Sequence, residues 1–422
     1  MTDLTPTVLD VFGTSRELPA NYVIREHVDF KFVDSLTKDR HVIVHGSSKQ
    51  GKTSLRKKHL LSTDYKTITC QRSWKIIDLH DAILKEAGYD LTLSSEVSTN
   101  GTQKVHLNAG PATKEIQDGT TKAVTTKPLE INIGSVTDVI RALLEIGFDK
   151  FFVIEEFHYL EESTQVDFAQ ALKAFHELSK ICFIIVGVWL EADKLTSLNN
   201  DLDGRITSVN ADSWHDEDID NLFKTSEEML NLAFAHSFKE EVKKYCRGNV
   251  FLVQQICLVA CEQQGIHRRQ ESVVLVASDL DVRGEIKDIL ESQTGRYTKF
   301  LMDFSVGFGT TEYELYKWIL CPLITFNNSI LANGLTAQAL RRFLEKWHPN
   351  GNQIKIGRIV AALAKVIDLQ QEKKISPIII EYDQTRSRLK IVDKGFLVWR
   401  EFQEIEDLLN LADLADEYKV SS

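Results

Sequence analysis

Proline is scarce in this chain of 422 residues, with 7 in all, which excludes a collagen-like, wholly disordered or low-complexity architecture. Cysteine is scarce too. The six, at positions 70, 182, 246, 257, 261 and 321, include no CxxC pair, so a cysteine-rich metal site is not expected and a reduced, cytosolic protein is. Long apolar runs are missing: the longest, Ile181 to Leu190, spans ten residues, against the roughly 20 of a membrane span. It reads as a buried strand. The opening residues, MTDLTPTVLD, show no basic start followed by an apolar run, so neither a secretory signal nor a membrane attachment is expected, and the expected location is the cytoplasm.

What is present is the composition of an ordinary globular protein, 43% hydrophobic and 26% charged, long enough for two or three domains. The net charge of −11 argues against general polyanion binding. Its distribution is uneven. Residues 331–400 hold 13 Lys+Arg against 6 Asp+Glu, a basic segment in an acidic chain. The last 22 residues hold seven acids and one lysine, interleaved with Leu408, Leu409, Leu411 and Leu414, the pattern of a terminal amphipathic helix.

Strand candidates at 42–44, Lys66–Gln71, Lys150–Phe157, Ile181–Trp189 and Ile206–Asn210 alternate with helical patterns. That alternation predicts an α/β fold, a parallel sheet flanked by helices. A polar stretch, 92–127, reads as an insertion, with a hairpin over Gln103–Asn108. Helical patterns at Trp214–Leu232, Lys239–Cys246 and Val250–Glu262 suggest a lid, followed by a less patterned connection at Arg268–Thr298. Helices at Glu312–Leu320, Ala337–Lys346 and Lys355–Ile367, then strands at Ile378–Tyr382 and Arg388–Val392, describe a winged-helix unit. The expected division is a P-loop core at 1–212, a lid and connector at 213–300, a winged-helix-like domain at 301–400 and an acidic amphipathic tail at 401–422.

The strongest local signal is Gly46-Ser47-Ser48-Lys49-Gln50-Gly51-Lys52-Thr53, a full GxxxxGK[ST] between a strand and a helix. Glycines let the loop turn its backbone N–H groups toward phosphate, and the helix start adds its positive end. Lys52 would reach the β- and γ-phosphates, Thr53 would ligate Mg2+, and Ser54 continues the cradle. Phe151-Phe152-Val153-Ile154-Glu155-Glu156 places two carboxylates at the end of an apolar strand. Glu155 is expected to hold the Mg2+ and Glu156 to act as general base for the attacking water. An ordinary strand end capped by solvated acids is the bland reading of the same residues.

With these two motifs the chain resembles the AAA+ and STAND P-loop ATPases, in particular the origin-initiator and archaeal-type branch with a C-terminal winged helix. The resemblance spans roughly residues 20–265 well and 310–400 loosely. It implies ATP as ligand, an adenine bordered by Tyr22-Val23-Ile24-Arg25 with Val23 and Arg25 in contact, and a homo-oligomer. Asn200-Asp201-Leu202-Asp203-Gly204-Arg205-Ile206 looks like the segment that carries an arginine finger, so Arg205 would reach a neighbour's γ-phosphate. An exposed ion pair is the alternative for that arginine. The fourth strand ends Val186-Gly187-Val188-Trp189, without the polar sensor of the family, which leaves the sensor unassigned. Lys244 to Phe251 is similar to the lid turn of STAND ATPases, with Val250 where proline is usual and Arg247 at a helix end. His158, just beyond the acids, reads as a loop histidine packed between Phe157 and Tyr159, with substrate contact as the sharper alternative.

Lys355, Arg358 and Lys365 fall on one face of the third C-terminal helix, opposite Ile356, Ile359, Val360 and Leu363, and Arg386 and Arg388 lie on the expected wing. Such a face suits DNA phosphates, or docking on the acidic remainder of the protein. The expected function is an oligomeric, ATP-hydrolysing switch acting on DNA or in an antiviral defence or signalling complex, with any effector a separate protein. Two alternatives stand beside it: a nucleotide-binding scaffold with a vestigial site, and a transposition-regulator ATPase. A GTPase is disfavoured because no NKxD-type guanine reader is found.

Overall fold

The computed structural model describes residues 5–13, 17–97, 103–109, 129–309, 311–384 and 386–420, so 98–102 and 110–127 of the expected insertion lie outside the described residues. Five parallel strands form the central sheet in the order β2-β6-β7-β1-β8. They are β1 (His41–His45), β2 (Tyr65–Thr69), β6 (Phe151–Glu155), β7 (Phe183–Gly187) and β8 (Ile206–Asn210), numbered to include a separate antiparallel sheet of β3 (Tyr89–Val97), β4 (Gln103–Ala109) and β5 (Leu129–Asn132). β1 and β7 are buried along their whole length, which is why HVIVH and FIIVG are almost unbroken apolar runs. Alternate residues serve opposite faces. Ile43, Ile154 and Ile185 pack under the helices Ile76–Ala87, Val136–Glu145 and Glu162–Leu178, with Phe168 and Phe175 edge-on to Phe183. Val42, Val44, Ile184 and Val186 meet Val28 and Phe32 of the helix Glu26–Leu36.

Two readings of the insertion and the connector are corrected. Gln103–Asn108 is not a hairpin in itself but the middle strand, β4, paired with β3 on one side and β5 on the other. Both partners come from outside the alternating stretch. The connector contains a helix of 25 residues, Val282–Val306. Its buried residues, Val282, Ile286 and Leu290, then Tyr297, Phe300, Leu301 and Phe304, leave a gap in the middle. There Thr294 accepts a hydrogen bond from the Trp399 indole at 3.0 Å, so a polar contact replaces an apolar one and hides the helical period.

The lid consists of helices Asp216–Leu230, His236–Cys246 and Val250–Gln263 with a short parallel pair, β9 (Leu232–Phe234) and β10 (Val274–Val276). The C-terminal unit runs through helices Leu315–Thr325 and Ala337–Trp347 and an antiparallel sheet of β11 (Leu335–Thr336), β12 (Ile380–Asp383) and β13 (Arg388–Ile391). The expected single helix Lys355–Ile367 is two, Ile356–Leu363 and Val366–Glu372, interrupted at Ala364 and Lys365, and Val360 is 37% exposed rather than on the apolar face. The acidic tail likewise forms two short helices, Ile405–Leu411 and Ala415–Val420, with Leu408, Leu409 and Leu414 buried. One hydrophobic cluster extends from Val8 through the lid to Ala415, so lid and C-terminal unit share a core. Among the described residues no helix is long and apolar enough to cross a membrane.

The C-terminal unit is fastened to the P-loop core by ion pairs. Arg386 donates to both carboxylate oxygens of Asp193 at 2.9 Å, Lys390 donates to Glu191 at 2.8 Å, and Lys194 pairs with Glu381. Arg388 caps the carbonyls of Asn333 and Gly334. The expected wing arginines are therefore engaged within the chain itself. Glu381 is enclosed beside Glu191, and burial pushes its carboxyl up to about 7, with Lys194 opposing the shift. A carboxyl whose folded-state pKa is raised takes up a proton on docking, so its contribution is fully present below the ordinary value of 4.5 and is lost as pH rises through about 7. Docking of the C-terminal unit is expected to tighten from pH 8 to pH 6, read as slower limited proteolysis between core and unit. Glu381→Gln should flatten that dependence relative to the wild type, and an equal slope in both proteins would contradict the assignment.

Candidate nucleotide site

The sheet order decides where chemistry can occur. β7 separates β1 from β6, so the P-loop and the paired acids leave the carboxyl ends of the sheet one strand apart, facing a common crevice. Gly46 has φ +140°, and a Cβ there would lie 3.0 Å from the Asp212 backbone nitrogen and from its Oδ1, so no side chain fits. Gly51 has φ +86° and stands immediately before the helix Lys52–His59. Asp212, two residues beyond β8, accepts hydrogen bonds from the Ser47 backbone N–H at 2.8 Å and from its hydroxyl at 2.6 Å. Lys52 Nζ donates to the carbonyls of Gly46 and Ser47, at 2.9 and 2.5 Å. Burial pushes its ammonium down to about 8, while Asp212, Glu156 and Glu155 pull in the other direction. A half-buried ammonium hydrogen bonded to two carbonyls is well placed to exchange them for phosphate oxygens.

Of the two acids, Glu155 accepts from Arg56 Nη2 at 3.2 Å, and Arg56 lies over the Tyr65 ring. Burial raises the Glu155 carboxyl and Arg56 lowers it. Glu156 turns off the strand with φ +59°, a left-handed conformation that is strained for glutamate. Burial raises its carboxyl, and Glu155 adds to the shift.

A cavity of about 500 Å³ opens between these groups and the lid, within the range of small-molecule sites. Ser48, Lys49, Gly51, Lys52, Thr53 and Ser54 line one side, and Glu155, Glu156 and His158 another. Gly46, Ser47 and Gln50 do not line it; Ser47 and Gln50 are buried behind the loop, Gln50 facing Asn249 of the lid. The lining also has an apolar part, Val23, Trp214, Leu222, Val250 and Phe251. Arg25 also lines it, but its guanidinium is committed: it donates to the Ala211 carbonyl at 2.7 Å and lies 4.1 Å from the Trp214 ring centre. Trp214 donates in turn to the Gln50 carbonyl at 3.3 Å, and Asn21 joins the segment before the P-loop to Ser226 and Gln254 of the lid.

Other expected residues lie elsewhere. Arg205 precedes β8 at the end of the sheet opposite this chain's own P-loop, bonded to Glu177 at 2.8 Å and to the Asp201 carbonyl. Within one chain it forms an exposed ion pair; any contact with a nucleotide would be with that of a neighbour. Arg247 ends the helix His236–Cys246 and pairs with Glu401 at 3.0 Å. Arg358 lies over Tyr313 and pairs with Glu312, while Lys355 and Lys365 are exposed. At the tip of β7 the missing polar sensor has a steric reason: the Trp189 ring packs so closely on Gly187 that a Cβ would lie 1.5 Å from it. Sequence reasoning missed Asp212, Trp214 and Arg56. Asp212 and Trp214 act across more than 160 residues of chain, and a lone acid after a strand carries no local signal.

No family model matches the chain, and no curated protein matches it. Solved structures do. The chain is similar to a Walker-type ATPase of Pyrococcus abyssi at 14% identity, covering 93% of this chain and 99% of that one with a TM-score of 0.49. It is similar to the Orc1 protein of Aeropyrum pernix, solved in complex with DNA, at 10% identity, 96% of both chains and a TM-score of 0.40. It is similar to the RuvB Holliday junction branch migration motor of Thermotoga maritima at 11% identity, 89% of this chain, 94% of that one and a TM-score of 0.37. These likenesses are too distant to assign an activity. The loop, the sheet order and the cavity bear the weight.

The donor set suits Mg2+: the Thr53 hydroxyl and the Glu155 and Glu156 carboxylates border one cavity, all hard oxygen ligands. A second trio, His27, His215 and Asp218, has donor atoms within 4.8 Å of one another. Its imidazoles are stacked at 4.1 Å and 12°, so their in-plane lone pairs do not converge on one ion, and it is not assigned as a metal centre. The Asp212–Ser47 clamp gives a direct test. Asp212→Ala should lower unfolding stability by about 1–3 kcal/mol in urea titration, the cost of an unmatched buried donor, and should weaken nucleotide binding as well. Unchanged values of both would show that the loop is held by something else.

Proposed function

We propose that this chain binds ATP with Mg2+ and hydrolyses it, working as a nucleotide-dependent switch in a homo-oligomer. The observation that carries the reading is the meeting of Lys52, Thr53 and Glu156 on one cavity whose lining also includes apolar and aromatic residues suited to a purine. The phosphates would lie on the N–H groups of residues 46–53, with Lys52 leaving its carbonyl partners for the terminal phosphates. Bound Mg2+ would be held by Thr53 and Glu155 and would neutralise charge on the β- and γ-oxygens. Glu156 would take a proton from water as the water oxygen attacks the γ-phosphorus and the bond to the β-γ bridging oxygen breaks. Val23, Trp214 and Phe251 would enclose the base.

The proposed domain division stays at 212, 300 and 400, although 300 falls inside the helix Val282–Val306 and 400 inside the helix Lys394–Glu401; lid and C-terminal unit would move together because they share a core. Helix, β11, two helical stretches and the β12–β13 pair follow the element order of a winged helix. DNA contact is proposed for Lys355, Arg358 and Lys365, with the wing arginines withheld by Asp193 and by backbone carbonyls until the unit undocks. A separate effector protein and a cytoplasmic setting complete the proposal. The scaffold alternative is supported by the Glu155–Arg56 pair, which occupies one metal-facing oxygen.

Lys52→Ala is expected to weaken ATP binding by roughly ten- to hundred-fold in calorimetry, the loss of a charged hydrogen-bonding partner. Glu156→Gln should retain binding and lose turnover, and retained turnover would assign the base elsewhere. Mixing Arg205→Ala with Lys52→Ala should restore ATPase activity above the sum of the two, because each supplies what the other lacks. No recovery, with full activity of Arg205→Ala in isolation, would leave Arg205 as a surface ion pair.

A further inference from the structure

The sensor position at the tip of β7 is empty of polar side chains, yet a buried polar atom faces the same space from the next strand. His158 lies in the short turn Phe157–Tyr159 that follows the acids, and it is 6% exposed. Its Nδ1 accepts a hydrogen bond from the Val188 backbone N–H at 3.3 Å, the first amide beyond β7. That bond fixes the tautomer: a neutral ring with an accepting Nδ1 carries its hydrogen on Nε2.

Nε2 is buried and has no hydrogen-bond partner among the described residues. The Glu156 carboxylate is 3.5 Å away, beyond a good N–H···O bond, and its side chain is 47% exposed. A buried donor without an acceptor is costly unless something fills the gap. The ring borders the cavity shared with Lys52 and Glu156. An anionic oxygen placed between that ammonium and that carboxylate is the acceptor the position lacks.

We propose that His158 is the donor that senses the terminal phosphate of the bound nucleoside triphosphate, filling from the β6 turn the role that Trp189 and Gly187 deny to β7. This rests on the nucleotide reading of the cavity. His158 is then a group that touches substrate and separates triphosphate from diphosphate. Its ring lies against Tyr159, tilted by 37° with centres 4.2 Å apart, and the Tyr159 hydroxyl is hydrogen bonded to Ser376 of the C-terminal unit. A shift of the ring on phosphate binding would therefore be felt where that unit docks.

Two variants and one spectroscopic measurement test the proposal. His158→Phe keeps the ring volume without the donor, and His158→Gln restores an N–H near the Nε2 position. Against the wild type, the Phe variant is expected to lose roughly ten-fold in ATP affinity with ADP affinity unchanged, and to lose turnover at saturating ATP. The Gln variant should recover the preference for ATP. Equal losses for ATP and ADP, or no loss for either, would overturn the proposal. Should the Phe variant melt early, the wild-type protein decides. The His158 Nε2–H resonance should shift with a non-hydrolysable ATP analogue and not with ADP; a shift common to both, or absent from both, contradicts the role. If the wild type binds neither nucleotide, it is the reading of the cavity that fails, a result distinct from either of these.

Discussion

The carboxylate of Asp212, clamped on Ser47, is the contact on which the rest of the site depends. It closes the P-loop against the last strand of the sheet, and the residues on either side of it recruit every other part of the chain. The Ala211 carbonyl anchors Arg25 from the segment before the loop. Trp214, at the entrance to the lid, lies on Arg25 and bonds to the Gln50 carbonyl. The Asp212 carbonyl accepts from Lys394 of the C-terminal unit at 2.9 Å, an ammonium that burial holds below its ordinary pKa. Three residues, Ala211, Asp212 and Trp214, thus tie core, lid and C-terminal unit to one loop. A change in what the loop holds cannot remain local.

How much of this was legible in the sequence follows from how local each feature is. The P-loop and the acid strand are contiguous patterns, and the structure places Lys52, Thr53, Glu155 and Glu156 on one cavity. The strands of the central sheet were readable because a strand buried on both faces must be apolar at nearly every position. The helix Val282–Val306 was not, since Trp399 meets it through a hydrogen bond to Thr294. Asp212 was invisible for a different reason: its partner is 165 positions away. His158 was in view and read mainly as packing, because only the tertiary structure shows which of its nitrogens is spoken for.

The basic C-terminal segment illustrates how charge alone leaves its partner open. Its excess of cations suited either DNA phosphates or the acidic remainder of the protein, and Arg386 and Lys390 meet the acids that follow β7. Asp193 and Glu191 lie just past the tip where a sensor would be sought, so the ionic fastening and the nucleotide cavity share one stretch of chain. The exposed Arg386–Asp193 pair contributes about 1 kcal/mol or less. Lys194, Glu381 and Glu191 are more enclosed, and their energetics turn on how their charges and protons are matched.

The central claim is that one nucleotide pocket couples three parts of the chain. Hydrogen exchange of the full-length protein, followed by mass spectrometry with and without a non-hydrolysable ATP analogue and Mg2+, tests it most directly. The account predicts added protection in three places at once: residues 46–53, the turn 156–160, and the segment 376–394 that meets the core through Ser376 and Lys394. Protection confined to the P-loop, or absent throughout, would contradict it.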